Sequence, residues 1–475
     1  MQPDRNFIHY CCALNGRCGD FIPFYHDGVF HLFTIVGRNW DHIITTDFVH
    51  FQEVGTAIYG GTDEEQDQCI YTGSVIYANG QFHIFYTGHN NFYAEQGKDP
   101  EVVMHAVSDD CYLWVKRPAF RIPPDRTRYQ NGGWRDPYVF YNEEAKEYWM
   151  ILTGAINEWQ NKRWGCTVLV TSPDLENWTI QDPLYAPHMY DSHECPDMFQ
   201  MGDKWYLIFS TYTRWWETHY RISDSPNGPW HIPAEDNLFD GRAFYAAKTV
   251  SDGKRRFIVG WHSVRKDNSD KGTYEWGGCL DVHEIVQKPD GTLGVRLIRE
   301  IESAMRQGEK QLPEPKFEFG NGKMECEDGA VKLKSEGYSA VSLCEADKVS
   351  YIHTRIKIKK DTAAAGIIFR SEFPIFEKWC ALRVEPSRRR IVFDRFNKFF
   401  DDHYFDEERP VYAEDGIYDI KIINDGTMIT CYVNEEAALS VRCYEYLSGT
   451  VGLFVENGKA RFSKIEVINT AEPQD

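Results

Sequence analysis

Short apolar stretches alternating with polar positions, each ended by turn residues, run through the whole chain. That period of two predicts β-strands. No stretch of helical period and useful length interrupts it, so the expected fold class is all-β. Between about residues 15 and 300 the strands fall into a unit repeated five times. The copies read Gly19-Asp20-Phe21-Ile22-Pro23-Phe24-Tyr25 into His31-Leu32-Phe33, Tyr71-Thr72-Gly73-Ser74-Val75-Ile76 into His83-Ile84-Phe85, and Trp134-Arg135-Asp136-Pro137-Tyr138-Val139-Phe140 into Tyr148-Trp149-Met150. His193-Glu194-Cys195-Pro196-Asp197-Met198-Phe199 into Tyr206-Leu207-Ile208 and Phe244-Tyr245-Ala246-Ala247-Lys248-Thr249 into Phe257-Ile258-Val259 complete the set. The aromatic second strands start at 31, 83, 148, 206 and 257, at steps of 52, 65, 58 and 51. Short strands at such a period predict a five-bladed β-propeller.

Third strands end in Thr45-Thr46-Asp47, Ser108-Asp109-Asp110, Ser172-Pro173-Asp174 and Ser223-Asp224. Hydroxyl and carboxylate side chains at that spacing cap turns, so these Asp residues are read as structural. The polar stretch from Ser303 to Lys316 carries two prolines and reads as a linker. Alternating strands resume after it, at Ala330-Val331-Lys332-Leu333, Tyr351 to Ile358, Gly366 to Arg370, Tyr418 to Ile423, Met428 to Val433 and Gly452 to Val455. That is the pattern of a β-sandwich. The expected division is 1–302 for the propeller, 303–316 for the linker and 317–475 for a C-terminal β-sandwich.

Composition narrows the partners. The 475 residues carry 52 basic and 72 acidic side chains, a net charge of −20. This sign argues against nucleic acid and anionic membranes, whose phosphates need cationic partners. Aromatic content of 15% suits propeller blades and sugar-binding surfaces. No apolar run is long enough to span a bilayer, and Met1 to Asn6 has no secretory-signal pattern. The 13 cysteines, among them the adjacent Cys11-Cys12, contain no Cys-x-x-Cys pair. They are expected to be mainly buried free thiols in a reducing compartment, which points to the cytoplasm.

The opening positions of units one, three and four carry Asp20, Asp136 and Glu194. Innermost propeller strands converge on the axis, so these carboxylates are expected to share one pocket. Two carboxyl groups flanking an acetal suffice to cleave a glycosidic bond, one as nucleophile and one as acid and base. A third can hold ring hydroxyls. The alternative tenant of such a cluster is a cation, and oxygen ligands would suit calcium.

The blocks Trp134-Arg135-Asp136-Pro137 and Glu194-Cys195-Pro196-Asp197, with Asp20 upstream, resemble those of glycoside hydrolase family 32, the invertases, inulinases and levanases. Tyr71-Thr72-Gly73-Ser74 is similar to that family's Phe-Ser-Gly-Ser block. Phe239-Asp240-Gly241 through Tyr245-Ala246, and Trp276-Gly277-Gly278, also resemble family blocks. The resemblance implies a propeller plus sandwich and a retaining β-fructofuranosidase mechanism without a cofactor or metal. It implies Asp20 as nucleophile, Glu194 as acid/base and Asp136 as the group holding fructosyl hydroxyls. Arg135, Ser74, Trp40, Tyr245 and Trp276 would bind substrate. The first block departs from the family's Asn-Asp-Pro-Asn-Gly, because Gly19 precedes Asp20 and the second Asn is missing. Donors expected to hold fructose hydroxyls and the nucleophile are therefore absent, which argues against plain sucrose as substrate. The departure favours small unusual fructosides, difructose anhydrides or levan-type linkages, including cyclising fructosyltransferases. A furanosidase for arabinosides or xylosides and a non-catalytic sugar-binding propeller remain alternatives. The expected partner is a small carbohydrate, and homo-oligomerisation stays open.

Overall fold

The computed structural model describes residues 8–10, 17–157, 162–373, 378–396 and 407–470. The N-terminal stretch Met1 to Asn6 and the pair Cys11-Cys12 lie outside them. The chain is nearly all-β, with one seven-residue α-helix, Arg299–Met305, among the described residues. No helix there is long and apolar enough to cross a membrane.

Up to residue 296 the strands form antiparallel sheets that follow the sequence units. The second unit gives the four-stranded sheet Cys69–Ala78, Gln81–His89, Glu101–Ser108 and Val115–Lys116; the third gives Arg135–Asn142, Glu147–Ala155, Gly165–Ser172 and Thr179–Tyr185. The fourth gives three strands, Glu194–Met201, Lys204–Thr211 and Glu217–Ser223. The first and fifth units are joined in one sheet, because Cys18 of Cys18–His26 pairs with Gly278 of Tyr274–Gln287. The five first strands pack in sequence. Cys18–His26 lies against Cys69–Ala78, that against Arg135–Asn142, then Glu194–Met201, then Phe244–Ser251, which returns to Cys18–His26. They form a closed ring.

Each first strand carries a β-bulge at its head. Three residues of it span two of its partner from Gly19 to Ile22, Arg135 to Tyr138, Glu194 to Asp197 and Tyr245 to Lys248. In the second unit two residues, Tyr71 and Gly73, span one step of the partner. A Cβ on Gly73 would lie 2.0 Å from the Phe85 carbonyl oxygen, so this head requires glycine. A bulge turns the strand and re-aims its side chains. Here five bulges turn their side chains toward one axis.

The Thr/Ser-Asp turns are structural. Phe48 N–H donates to Thr45 Oγ1 (2.9 Å), Cys111 N–H to Ser108 Oγ (3.0 Å) and Leu175 N–H to Ser172 Oγ (2.9 Å). Asp47, Asp110 and Asp174 each accept two further backbone N–H groups.

The stretch 303–316 is not a free linker. Its start lies in the helix Arg299–Met305, whose Ile301 and Met305 are buried, and Glu309–Gln311 pairs with the last strand. That strand, Gly449–Asn469, also pairs with Ala330–Ala346, Val349–Ile358 and Ala364–Ser371. Its alternation packs Val451, Leu453 and Val455 against Val341, Ile367 and Leu382 in a dry core. A second core joins the two halves, with Tyr351, Ile423, Tyr432 and Ile468 in the same apolar cluster as Phe244 and Val250. Among the described residues ten cysteines are free thiols, eight of them buried. Cys279 departs from the expectation of free thiols, being disulfide-bonded.

Two buried imidazole pairs repeat in adjacent sheets. His31 Nδ1 lies 3.0 Å from His42 Nε2, and His83 Nδ1 lies 3.0 Å from His105 Nε2. Burial holds His31 at about 4 and His42 and His105 at about 3. An unfolded imidazole titrates near 6.5. Below that pH the unfolded chain binds more protons, so these groups withdraw stability as pH falls and none above it. We predict that the drop in melting temperature from pH 7 to pH 4.5 is smaller in the His42→Asn/His105→Asn variant than in the wild type. Parallel profiles would exclude the pairs as the source.

Candidate active site

The bulges set two rings of side chains around the axis. The residue just before each bulge is Gly19, Tyr71, Arg135, Glu194 or Tyr245, whose cross-strand partners are Ile35, Thr87, Thr153, Ser210 and Trp261. The next residue is Asp20, Thr72, Asp136, Cys195 or Ala246. Four of these five have a positive φ: 49° at Asp20, 60° at Asp136, 48° at Cys195 and 51° at Ala246. Aspartate tolerates that left-handed conformation better than most side chains do. Asp20 and Asp136 are therefore equivalent positions, as the sequence repeat suggests. Glu194 is not their equivalent: it sits one residue earlier, at the register of Gly19, Arg135 and Tyr245. Its longer side chain still reaches the same cavity.

That cavity is about 380 Å³ and is lined by both rings, including Asp20, Arg135, Asp136, Glu194 and Tyr245, with Trp276 on its wall. Asp20 accepts hydrogen bonds from Thr72 Oγ1 (2.7 Å) and Trp261 Nε1 (2.9 Å). Burial lifts its carboxyl to about 6 against the pull of these donors, and the Asp136 and Glu194 charges add to the rise. Asp136 Oδ2 accepts from Cys195 N–H (2.9 Å) and lies 2.9 Å from Thr153 Oγ1. Burial raises its carboxyl too, with the Arg135 charge opposing. Arg135 Nη2 donates to Glu194 Oε1, and Tyr245 Oη donates to Glu194 Oε2, each at 2.5 Å. Both oxygens of Glu194 are thus held in place. Burial disfavours the Arg135 charge, but Glu194, Glu101 and Asp136 outweigh it and hold the guanidinium well above its ordinary value. Burial and the Glu194 charge push the Tyr245 phenol well up, so it remains a donor. Burial also raises the Cys195 thiol well above its usual value, which leaves it a poor nucleophile.

Two expected substrate contacts are elsewhere. Trp40 is 0% exposed, wedged beside Phe33 and Tyr86 with Nε1 donating to the Tyr71 carbonyl. It is a packing residue and forms no wall of the cavity. Ser74 is 3% exposed, and its Oγ accepts from Val139 N–H (3.0 Å), tying the second sheet to the third. Trp276, 40% exposed, does line the cavity. It packs over Gly19, where a Cβ would lie 2.9 Å from the indole Cζ2. The indole fills the place a side chain at position 19 would take. Sequence reasoning missed Trp261, Thr72 and Glu101. Trp261 is legible only once its pairing with Tyr245 is known, and Thr72 only once the bulges align it with Asp20. Glu101 comes from a third strand; its Oε2 accepts from Gly133 N–H (2.7 Å) and Trp134 N–H (2.9 Å) and lies 3.5 Å from Arg135 Nη1.

Residues 19–292 match the sequence model of the glycosyl hydrolases family 32 N-terminal domain, and residues 323–469 that of the family 32 C terminal. The chain belongs to glycoside hydrolase family 32. It is 27% identical over 291 residues to a sucrose-6-phosphate hydrolase of Escherichia coli, and 28% over 293 residues to a raffinose invertase of the same organism. Each alignment covers 58% of this chain, which thus spans 59% of each relative's length. In fold it is similar to the exo-inulinase of Aspergillus awamori (TM-score 0.75, 17% identity, 99% of both chains). It is also similar to fructan 1-exohydrolase IIa of Cichorium intybus (TM-score 0.73, 15% identity, 100% of this chain and 99% of that one).

The carboxylate cluster of this family 32 chain is a poor calcium site. Its oxygens already accept from Thr72, Trp261, Cys195 and Tyr245, and the Arg135 guanidinium stands where a cation's charge would be needed. We predict that Thr72→Val raises the Asp20 pKa by about one unit or more, the worth of a hydrogen bond to a charged acceptor. Carbon-13 NMR titration of labelled aspartate would read it, and an unchanged value would exclude the Thr72 bond.

Proposed function

We propose that this chain is a retaining glycoside hydrolase acting on β-fructofuranosides of small oligosaccharides. The observation that carries the reading is the meeting of Asp20, Asp136 and Glu194 in one cavity at the heads of ring-packed strands. The names of the curated relatives, a sucrose-6-phosphate hydrolase and a raffinose invertase, support the substrate class. We read residues 1–302 as a five-bladed β-propeller, supported by the closed ring of five first strands. Residues 317–475 are read as a β-sandwich, with 303–316 as a connection captured by the last strand.

In this reading Asp20 is the nucleophile. Its carboxyl near 6 is ionised at neutral pH, and the Thr72 and Trp261 donors aim it into the cavity. It attacks the anomeric carbon while Glu194 gives its proton to the leaving oxygen; Glu194 then takes a proton from the water that releases fructose. Arg135 and Tyr245 fix the carboxyl of Glu194 through both steps. Asp136, its bonds to Cys195 and Thr153 leaving one oxygen toward the cavity, accepts from sugar hydroxyls. These bonds strengthen as positive charge grows on the ring.

The Trp276 indole over Gly19 favours a substrate other than sucrose. An indole face in place of a polar side chain offers stacking against C–H surfaces and no acceptor or donor for a hydroxyl.

We predict that the wild type releases fructose, or forms a new fructosyl product, from at least one of sucrose, inulin- or levan-type oligosaccharides and difructose anhydrides. Asp20→Asn and Glu194→Gln should lower kcat by about 10²–10⁴-fold or more without changing the melting temperature. In methanol the product should be the methyl β-fructofuranoside; the α-anomer would exclude retention. Turnover of aryl arabinoside or xyloside alone would move the assignment to pentofuranosidases, and binding without turnover to a sugar-binding propeller. The acid limb of kcat/KM should fall near pH 6. Gly19→Asn, which must displace Trp276, should raise KM for the wild type's own substrate by about tenfold, near the worth of a stacked ring.

A further inference from the structure

A second cluster of chemistry-bearing side chains lies away from the cavity, between the two halves of the chain. Asp240 follows the fourth sheet, and Asp281 and His283 stand on the strand Tyr274–Gln287. Each offers one ligand atom, and the three atoms lie within 4.8 Å of one another. All three residues are buried, Asp281 at 3% exposure and His283 at 0%. Opposite them are Asp425, Thr430 and Tyr432 of the C-terminal half, and His9 reaches in from the chain's start.

Asp281 is the anomaly. Among the described residues its Oδ2 is buried and without a hydrogen-bond partner, and its Oδ1 has the loose ionic neighbours His9 Nε2 at 3.7 Å and His283 Nε2 at 3.9 Å. Leaving a carboxylate oxygen unpaired in a dry interior is strongly unfavourable, so a buried orphan of this kind points to a missing partner. Asp240 differs: its Oδ1 accepts from Gly241 and Ser440 N–H, which leaves Oδ2 toward His283 Nε2 at 3.0 Å.

The two histidines around Asp281 are arranged alike. His283 Nδ1 lies 2.8 Å from Tyr432 Oη, and His9 Nδ1 lies 2.8 Å from Asp425 Oδ2. Each ring is thereby oriented through Nδ1; His283 Nε2 faces Asp240 Oδ2 at 3.0 Å with Asp281 Oδ1 at 3.9 Å, and His9 Nε2 lies 3.3 Å from Thr430 Oγ1 and 3.7 Å from Asp281 Oδ1. That is the outer-shell arrangement by which proteins hold metal-binding imidazoles. Ligand atoms ~2.1 Å from a tetrahedral ion stand roughly 3.4 Å apart. The separations of 3.0, 3.7 and 3.9 Å bracket that spacing.

We propose that Asp240, Asp281 and His283 form a structural site for a divalent transition ion, zinc being the best match, with His9, which stands outside the three-residue cluster but 3.7 Å from Asp281 Oδ1, moving in as fourth ligand when the ion binds. Imidazole nitrogens with carboxylates favour zinc over calcium or magnesium, which take all-oxygen shells. The site is closed to solvent and holds no position for substrate, so the ion is structural. It ties the strand that carries Trp276 at its head to Asp240 and His9, and the C-terminal half meets it through the Asp425 and Tyr432 contacts to the two imidazoles. The inference is independent of the proposed fructosidase activity.

The test uses the full chain, produced in zinc-supplemented medium and purified without chelator. Elemental analysis should find about one zinc per chain. Stripping it should lower the melting temperature by roughly 3 °C or more, and zinc, but not calcium or magnesium, should restore it. Asp281→Asn should lose the zinc and the chelator response together. If that variant does not fold, the wild-type measurements decide alone. A wild-type chain that holds no zinc and whose melting temperature ignores both chelator and added zinc overturns the site. His283 would then serve as an imidazolium between two carboxylates.

Discussion

The bulge at the head of each first strand is the constraint on which the site depends. A regular strand alternates its side chains between faces, so no two consecutive residues could both address the axis. By spending an extra residue the bulge lets both Arg135 and Asp136 border the cavity, and both Glu194 and Cys195. The positive φ at these heads is a conformation most side chains resist, so the ring must over-determine it. The ring does so with side-chain bridges between neighbouring heads. Asp136 N–H donates to Thr87, Cys195 N–H to Asp136, and the Thr72 hydroxyl to Asp20. The carboxylates that border the cavity also hold the strand heads in register.

Among the described residues lining the cavity, the Arg135 guanidinium offsets part of the carboxylate charge. Three carboxylates this close could not all stay ionised unaided. Arg135 pairs with Glu194 and approaches Asp136, and Glu101 behind it keeps the guanidinium from following either one. Asp20 lies outside this grip, facing two neutral donors, and its carboxyl rises to about 6. The acids are thereby made unlike, which a two-carboxylate mechanism requires.

Much of the architecture was legible in the sequence, because each unit repeats a pattern of aromatic and turn residues that only short strands satisfy. The carboxylates were legible for the same reason, at strand heads in three units. What could not be read was register. A one-residue offset separates Glu194 from the Asp20 and Asp136 positions, and sequence spacing does not reveal where a bulge falls. Trp40 and Ser74 look like site residues because they neighbour site motifs. Alternation turns both into the packing between sheets. Trp261 shows the converse: it reads as one more core aromatic, yet its indole N–H reaches Asp20 across 241 residues. The Ser303 to Lys316 stretch is polar and proline-bearing, like a linker, but the free edge of the last strand recruits part of it.

Ring closure has a consequence for how the chain matures. The first and fifth units meet through Cys18 and Gly278, residues separated by more than half the chain. Contacts of such sequence separation form late, since a long loop must close before they contribute. Every group around the cavity, from Asp20 to Trp276, lies inside that loop. During synthesis the second, third and fourth sheets can each assemble as they leave the ribosome, whereas the cavity has no existence until residue 278 has emerged. A chain truncated before that point retains all three carboxylates and still has no pocket to put them in.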